Sequence, residues 1–70
     1  MANSTKQLGL KIKELRESRN WSQRECATHL GLHHTYVAHI ELGQKNMTVS
    51  TLEKIASGFG ITLEELFKGL

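Results

Sequence analysis

The sequence predicts an all-α domain built from five short helices. Three observations carry that expectation. The 70 residues include no proline, the strongest helix breaker. Apolar residues recur at the i, i+3, i+4 spacing of one helix face, as in Leu8, Ile12 and Leu15. Runs of β-branched residues, the mark of strands, are few. There is no internal repeat, linker or low-complexity stretch, so a single domain over residues 1–70 is expected.

Capping signals set the boundaries. The first helix is expected to start at Ser4, because Ser4 and Gln7 have the capping-box spacing. Leu8, Ile12 and Leu15 form its apolar stripe, with Lys11, Glu14 and Arg19 toward water, and Asn20 suits its C-terminal cap. The second helix opens at "WSQREC". Ser22 is the N-cap, Glu25 completes the box, and Trp21 and Cys26 flank it as a hydrophobic staple. Cys26, Ala27 and Leu30 face the core. Gly31 stops this helix, because a left-handed cap clashes with a Cβ. A third helix runs from about His33 to Leu42, with Val37 and Ile40 inward and Gly43 at its end. "QKNM" is a loop. The fourth helix spans about Val49 to Gly58, capped by Thr48 or Ser50, with Leu52, Ile55 and Ala56 inward. Phe59 and Ile61 pack the turn that follows. The last helix starts at Thr62, with Glu65 completing a second box and Ile61 against Leu66 as its staple; Leu63, Leu66 and Phe67 make its apolar face.

Composition removes several classes of function. With 39% hydrophobic and 23% charged residues, the chain reads as an ordinary globular domain and not as a disordered tail. Its single cysteine, Cys26, excludes an internal disulfide and a four-cysteine zinc site, and fits a reducing cytoplasm. No apolar run approaches the roughly 18–20 residues that span a bilayer, and "MANSTKQLGL" lacks the apolar core of a signal peptide. A cytoplasmic, nucleoid-associated protein with no membrane partner is expected. The net charge of +2 says little alone. Its distribution says more: Lys6, Lys11, Lys13, Arg16, Arg19 and Arg24 lie in the first third, and Glu64 and Glu65 near the end. That asymmetry permits one basic face, although a solvated helix surface explains the same charges equally well.

The tightest spot lies between the second and third helices. Small Ala27 is followed by the turn at Gly31 and then by Val37 and Ile40. Two helices joined by about three residues containing Gly cross steeply, and Ala27 permits close approach. Residues of about 23–42 therefore form a helix-turn-helix.

At this point "LGLKIKELRESRNWSQRECATHLGLHHTYVAHIELGQKN", followed by "TLEKIASGFGITLEELF", closely resembles the Cro and phage-repressor (xenobiotic-response-element) family of helix-turn-helix proteins. The resemblance covers residues 8–67 and implies a lambda-repressor-like DNA-binding fold. Within the family, "TYVAHIELGQKNMTVSTLEKIA" looks most like the controller proteins of restriction–modification systems. Two positions depart from the pattern. The usual Ser, Thr or Asp cap of the third helix is His33, and a position that is often basic is Leu42.

The resemblance implies a transcriptional regulator whose third helix enters the DNA major groove while the second crosses the backbone. By position, His34, Thr35 and His39 read bases, with His33 beside them. Imidazole can address guanine N7 or O6, and a threonine methyl can touch thymine. Gln23, Arg24, Tyr36, Gln44, Lys45 and Asn46 would meet phosphates, with Lys6 a further candidate. Arg16 and Glu41 would bridge the first helix to the end of the third. A homodimer on a pseudopalindromic operator is implied, with the C-terminal helices of residues 49–69 as core and dimer face, Phe59, Ile61, Leu66 and Phe67 on it, and Leu70 just beyond. RNA polymerase is a further partner the resemblance allows.

The four histidines raise a rival reading, a metal site. Zinc needs three or four converging ligands, yet Gly31 breaks the helix between His29 and His33, and Cys26 falls on a core position. No nucleophile–base–orienter set is present, so neither an enzyme, a metal nor a cofactor is expected. The alternative to a controller is an antitoxin-like interaction module with autoregulatory DNA binding.

Overall fold

The computed structural model describes residues 4–70. All the regular structure in them is helical: α1 (Ser4–Ser18), α2 (Gln23–Leu30), α3 (His34–Glu41), α4 (Val49–Phe59) and α5 (Leu63–Phe67). α1 packs on α3 and α5, α2 on α3 and α4, and α4 on α5, so the helices surround one core. Ile12, Cys26, Val37, Ile40, Ile55 and Leu66 have no exposed surface, and together they draw on all five helices. Leu15, Trp21, Leu52, Ile61 and Leu63 pack around them. Burying each such side chain contributes about 1.5–3 kcal/mol, which lets helices of only 5 to 15 residues persist.

The caps explain why the helices end where they do. The Ser22 hydroxyl accepts from the Glu25 N–H at 3.0 Å, and the Glu25 carboxylate accepts from the Ser22 N–H at 2.8 Å. Thr62 and Glu65 repeat this box at α5. Gly31 sits at φ 69° and closes α2. Asn20, at φ 58°, closes α1: its N–H bonds the Glu17 carbonyl while the Trp21 N–H bonds that of Arg16.

Two details differ from the sequence reading, and two that it left open are resolved. Ser4 lies within α1, so the Ser4–Gln7 box is not its cap, and the residues before Ser4 lie outside the described ones. Thr48, not Ser50, caps α4, its hydroxyl accepting from the Thr51 N–H. α4 also runs through Gly58 to Phe59 and stops at Gly60. Gly58 serves packing: a Cβ there would lie 2.4 Å from Leu30 Cδ2 and 2.7 Å from the His29 carbonyl oxygen. Arg19, expected in water, is half-buried. Its guanidinium donates to the carbonyls of Leu15 (3.1 Å) and Phe59 (2.7 Å) and lies over the Phe59 ring at 4.9 Å.

Candidate nucleic-acid interface

α3 buries Val37, Ile40 and Glu41. At 100° per residue the opposite face carries Thr35 and His39. Thr35 is exposed and His39 half-exposed. Because no Ser, Thr or Asp stands at the cap, His33 does the work: its Nδ1 accepts from the Thr35 N–H at 3.2 Å. The His33 ring stacks on His34 at 4.5 Å. Partial loss of solvent, then the positive charge of Arg24 and the neighbouring His33, hold the His34 imidazole below its ordinary value. His34, Thr35 and His39 thus share the first two turns of one helix, with Arg24 of α2 beside them.

Glu41 closes that helix onto the rest of the molecule. Only 7% of it is exposed. Arg16 Nε donates to one carboxylate oxygen at 2.6 Å and Nη2 to the other at 3.2 Å, while Nη1 donates to the Trp21 carbonyl at 2.9 Å. Gln23 Nε2 adds a third bond to Glu41 at 3.1 Å. The hydrogen bonds to Glu41 raise the Arg16 pKa, so the guanidinium stays charged beside the carboxylate it grips. α1, α2 and α3 are thereby tied at one carboxylate. Gln23 was expected to hold a phosphate with its side chain. Instead Nε2 of that amide is engaged with Glu41, and in the first turn of α2 the Glu25 N–H is taken by the Ser22 hydroxyl.

The remaining nominated residues separate into two groups. Gln44, Lys45 and Asn46 are exposed in the loop after α3, where Asn46 Oδ1 accepts from Thr5 Oγ1 at 3.5 Å. Tyr36 is half-buried against the core. Phe59 (5% exposed) and Leu66 (0%) lie inside the chain, so they cannot form an open face; Ile61, Phe67 and Leu70 retain exposed surface. His29 stacks flat on Trp21, 3.9 Å between centroids. Among the described residues, no three His, Cys, Asp or Glu side chains converge on a point. Burial pushes the Cys26 thiol up to about 11, which makes it a poor nucleophile.

The sequence reading missed Gly9. A Cβ there would stand 2.2 Å from the Ile40 carbonyl oxygen and 3.0 Å from that of Glu41, so α1 rests directly on the last turn of α3. A glycine inside an otherwise periodic helix was the available signal.

A helix-turn-helix family model matches residues 12–66. The control protein C.MunI of Mycoplasma sp is 44% identical over 63 residues, spanning 89% of this chain and 85% of its own. The control protein C.BamHI of Bacillus amyloliquefaciens is 35% identical over 68 residues, spanning 94% and 84%. The crystal structure of the restriction–modification controller protein C.AhdI from Aeromonas hydrophila has the same fold, with a TM-score of 0.84 at 33% identity over 90% of this chain and 91% of that one. No helix among the described residues is long and apolar enough to cross a membrane. The chain belongs to the helix-turn-helix family and is a DNA-binding transcriptional regulator, with controller proteins of restriction–modification systems among its relatives.

Proposed function

We propose that the protein acts in the cytoplasm as a homodimeric controller of a restriction–modification system, binding a pseudopalindromic operator upstream of its own gene. The observation that carries this reading is the face of α3: Thr35 and His39 stand opposite Val37, Ile40 and Glu41, which anchor the helix, and half-exposed His34 flanks them. In this assignment Thr35, His39, His34 and His33 address base edges. Arg24, Tyr36, Gln44, Lys45, Asn46 and the α2 N-terminus, with Gln23, hold phosphates. Exposed Phe67 (42%) and Leu70 (49%), with half-buried Ile61, supply the apolar surface through which two copies join. Contact with RNA polymerase belongs to the same proposal where the operator lies beside a promoter.

A gel shift against the protein's own upstream DNA tests the reading. A saturable, sequence-selective shift at low salt is expected, and its absence sinks the proposal. Sedimentation equilibrium of a Phe67→Glu variant tests the dimer: a folded monomer with weakened operator binding is expected.

A further inference from the structure

Three of the described helix caps, Ser22, Thr48 and Thr62, use hydroxyls, which can accept a hydrogen bond at any physiological pH. The cap of α3 uses an imidazole nitrogen instead. The Thr35 N–H donates to His33 Nδ1 at 3.2 Å, so that nitrogen must be bare. We propose that His33 is a proton-sensitive latch on the first turn of α3: neutral, with its proton on Nε2, it holds the Thr35 backbone, and doubly protonated it releases it. The latch belongs to the free protein; its bearing on operator recognition rests on the DNA-binding reading above.

Chemistry fixes both states. A neutral imidazole has one N–H and one bare nitrogen. With Nδ1 accepting, the N–H lies at Nε2, and no other hydrogen bond engages the His33 side chain among the described residues. An imidazolium has an N–H at both nitrogens. Its Nδ1–H would face the Thr35 N–H, donor against donor, and a positive ring would sit at the positive end of the helix. The surroundings do not offset that charge. On α3 itself, the His34 ring stacks on His33 at 4.5 Å. α2 brings Arg24, whose charge acts on His34. α4 brings Lys54, whose Nζ donates to the Gly31 carbonyl at 3.5 Å. α1 meets the other end of α3, where Arg16 already holds the Glu41 carboxylate. The groups recorded near the cap are thus cations or a second imidazole. Position gives the latch its consequence. The backbone it holds is that of Thr35, and the ring it stacks on is that of His34, both assigned to base edges. Toward DNA, the neutral ring offers only its Nε2–H, a donor suited to guanine N7 or O6 and not to the amino groups of adenine or cytosine.

NMR spectroscopy of the free protein tests the latch. At a pH of about 8, long-range nitrogen–proton correlations should show His33 with a bare Nδ1 and a protonated Nε2; the opposite tautomer overturns the proposal. On titration to a pH of about 5, the range over which imidazoles take up a proton, the Thr35 amide proton should move upfield in step with the His33 ring as its hydrogen bond is lost. His33→Asn keeps a capping oxygen but no titrating group, so its Thr35 amide should hold its shift across that range. His34→Gln should leave the parent's response in place. A Thr35 amide that follows the His34 ring, or that stays still while His33 titrates, overturns the proposal. A parent protein that shows no saturable binding to its upstream DNA would sink the DNA reading and leave the latch to be judged on these spectra alone.

Discussion

Arg16 and Arg19 leave the same helix end three residues apart, and each ties α1 to another helix, yet they do so by different physics. Arg16 meets a carboxylate: the fork of its guanidinium grips Glu41, and only 7% of that residue remains exposed. Arg19 meets neutral groups: the carbonyls ending α1 and α4, and the rings of Phe59 and Trp21. Both geometries use guanidinium planarity. The difference lies in what remains when the arginine goes. Without Arg16, a buried charge has lost its counterion. Without Arg19, two carbonyls at helix ends return to water. The first junction holds α3, the helix proposed to face DNA, and the second holds the C-terminal helices. The molecule is therefore most sensitive where α3 is positioned.

The largest expected effect breaks the first junction. Arg16→Met should cost about 3–5 kcal/mol in urea unfolding, because Glu41 stays buried and unpaired. Adding Glu41→Leu should recover most of that loss. A double variant no more stable than Arg16→Met alone would show that the carboxylate is not the source of the cost. Next comes Gly9→Ala. Its new methyl meets the backbone of α3, so a loss of about 1–3 kcal/mol is expected together with weaker operator binding as α3 is displaced. Arg19→Ala should cost less, about 1–2 kcal/mol, and leave operator affinity unchanged; a large drop in affinity would erase the contrast between the two arginines.

The smallest effect concerns pH. The His34 imidazole is held below its ordinary value in the free protein by partial desolvation, Arg24 and His33. Phosphates nearby favour the imidazolium, so binding takes up a proton and affinity should rise as pH falls from about 8 to about 6, by roughly threefold to tenfold. A His34→Ala/His39→Ala variant that retains the whole pH dependence would assign it elsewhere.

Much of the fold was legible in short words of sequence. Ser22 with Glu25 and Thr62 with Glu65 are local devices, closed within four residues, and they operate as read. Gly31 stops α2 for a reason internal to its own backbone. Gly58 was placed at the approximate end of α4, but its role in packing was not legible, because what it must leave room for lies on a neighbouring helix. Gln23 shows the same limit at the candidate site. Its place at the start of α2 was evident, but the partner of its amide lies eighteen residues away, on another helix. Phe59 and Leu66 read as a surface for a second copy because an apolar helix face looks the same whether it meets its own core or a partner.

What the sequence determined by itself is whatever a few adjacent residues can settle: helix starts and stops, the apolar stripes, and the turn that sets α2 against α3. These depend on hydrogen bonds and sterics within one or two turns. The tertiary structure alone decided where the long polar side chains go. Arg16, Arg19 and Gln23 each reach about 5–7 Å from the backbone, and their partners come from helices that only folding brings near. His33, His34, Thr35 and His39 fall on both sides of that line. Their place on α3 is written in the spacing of Val37 and Ile40. Which of them cap, stack or stand free depends on the rings and charges that surround them once the helix is docked.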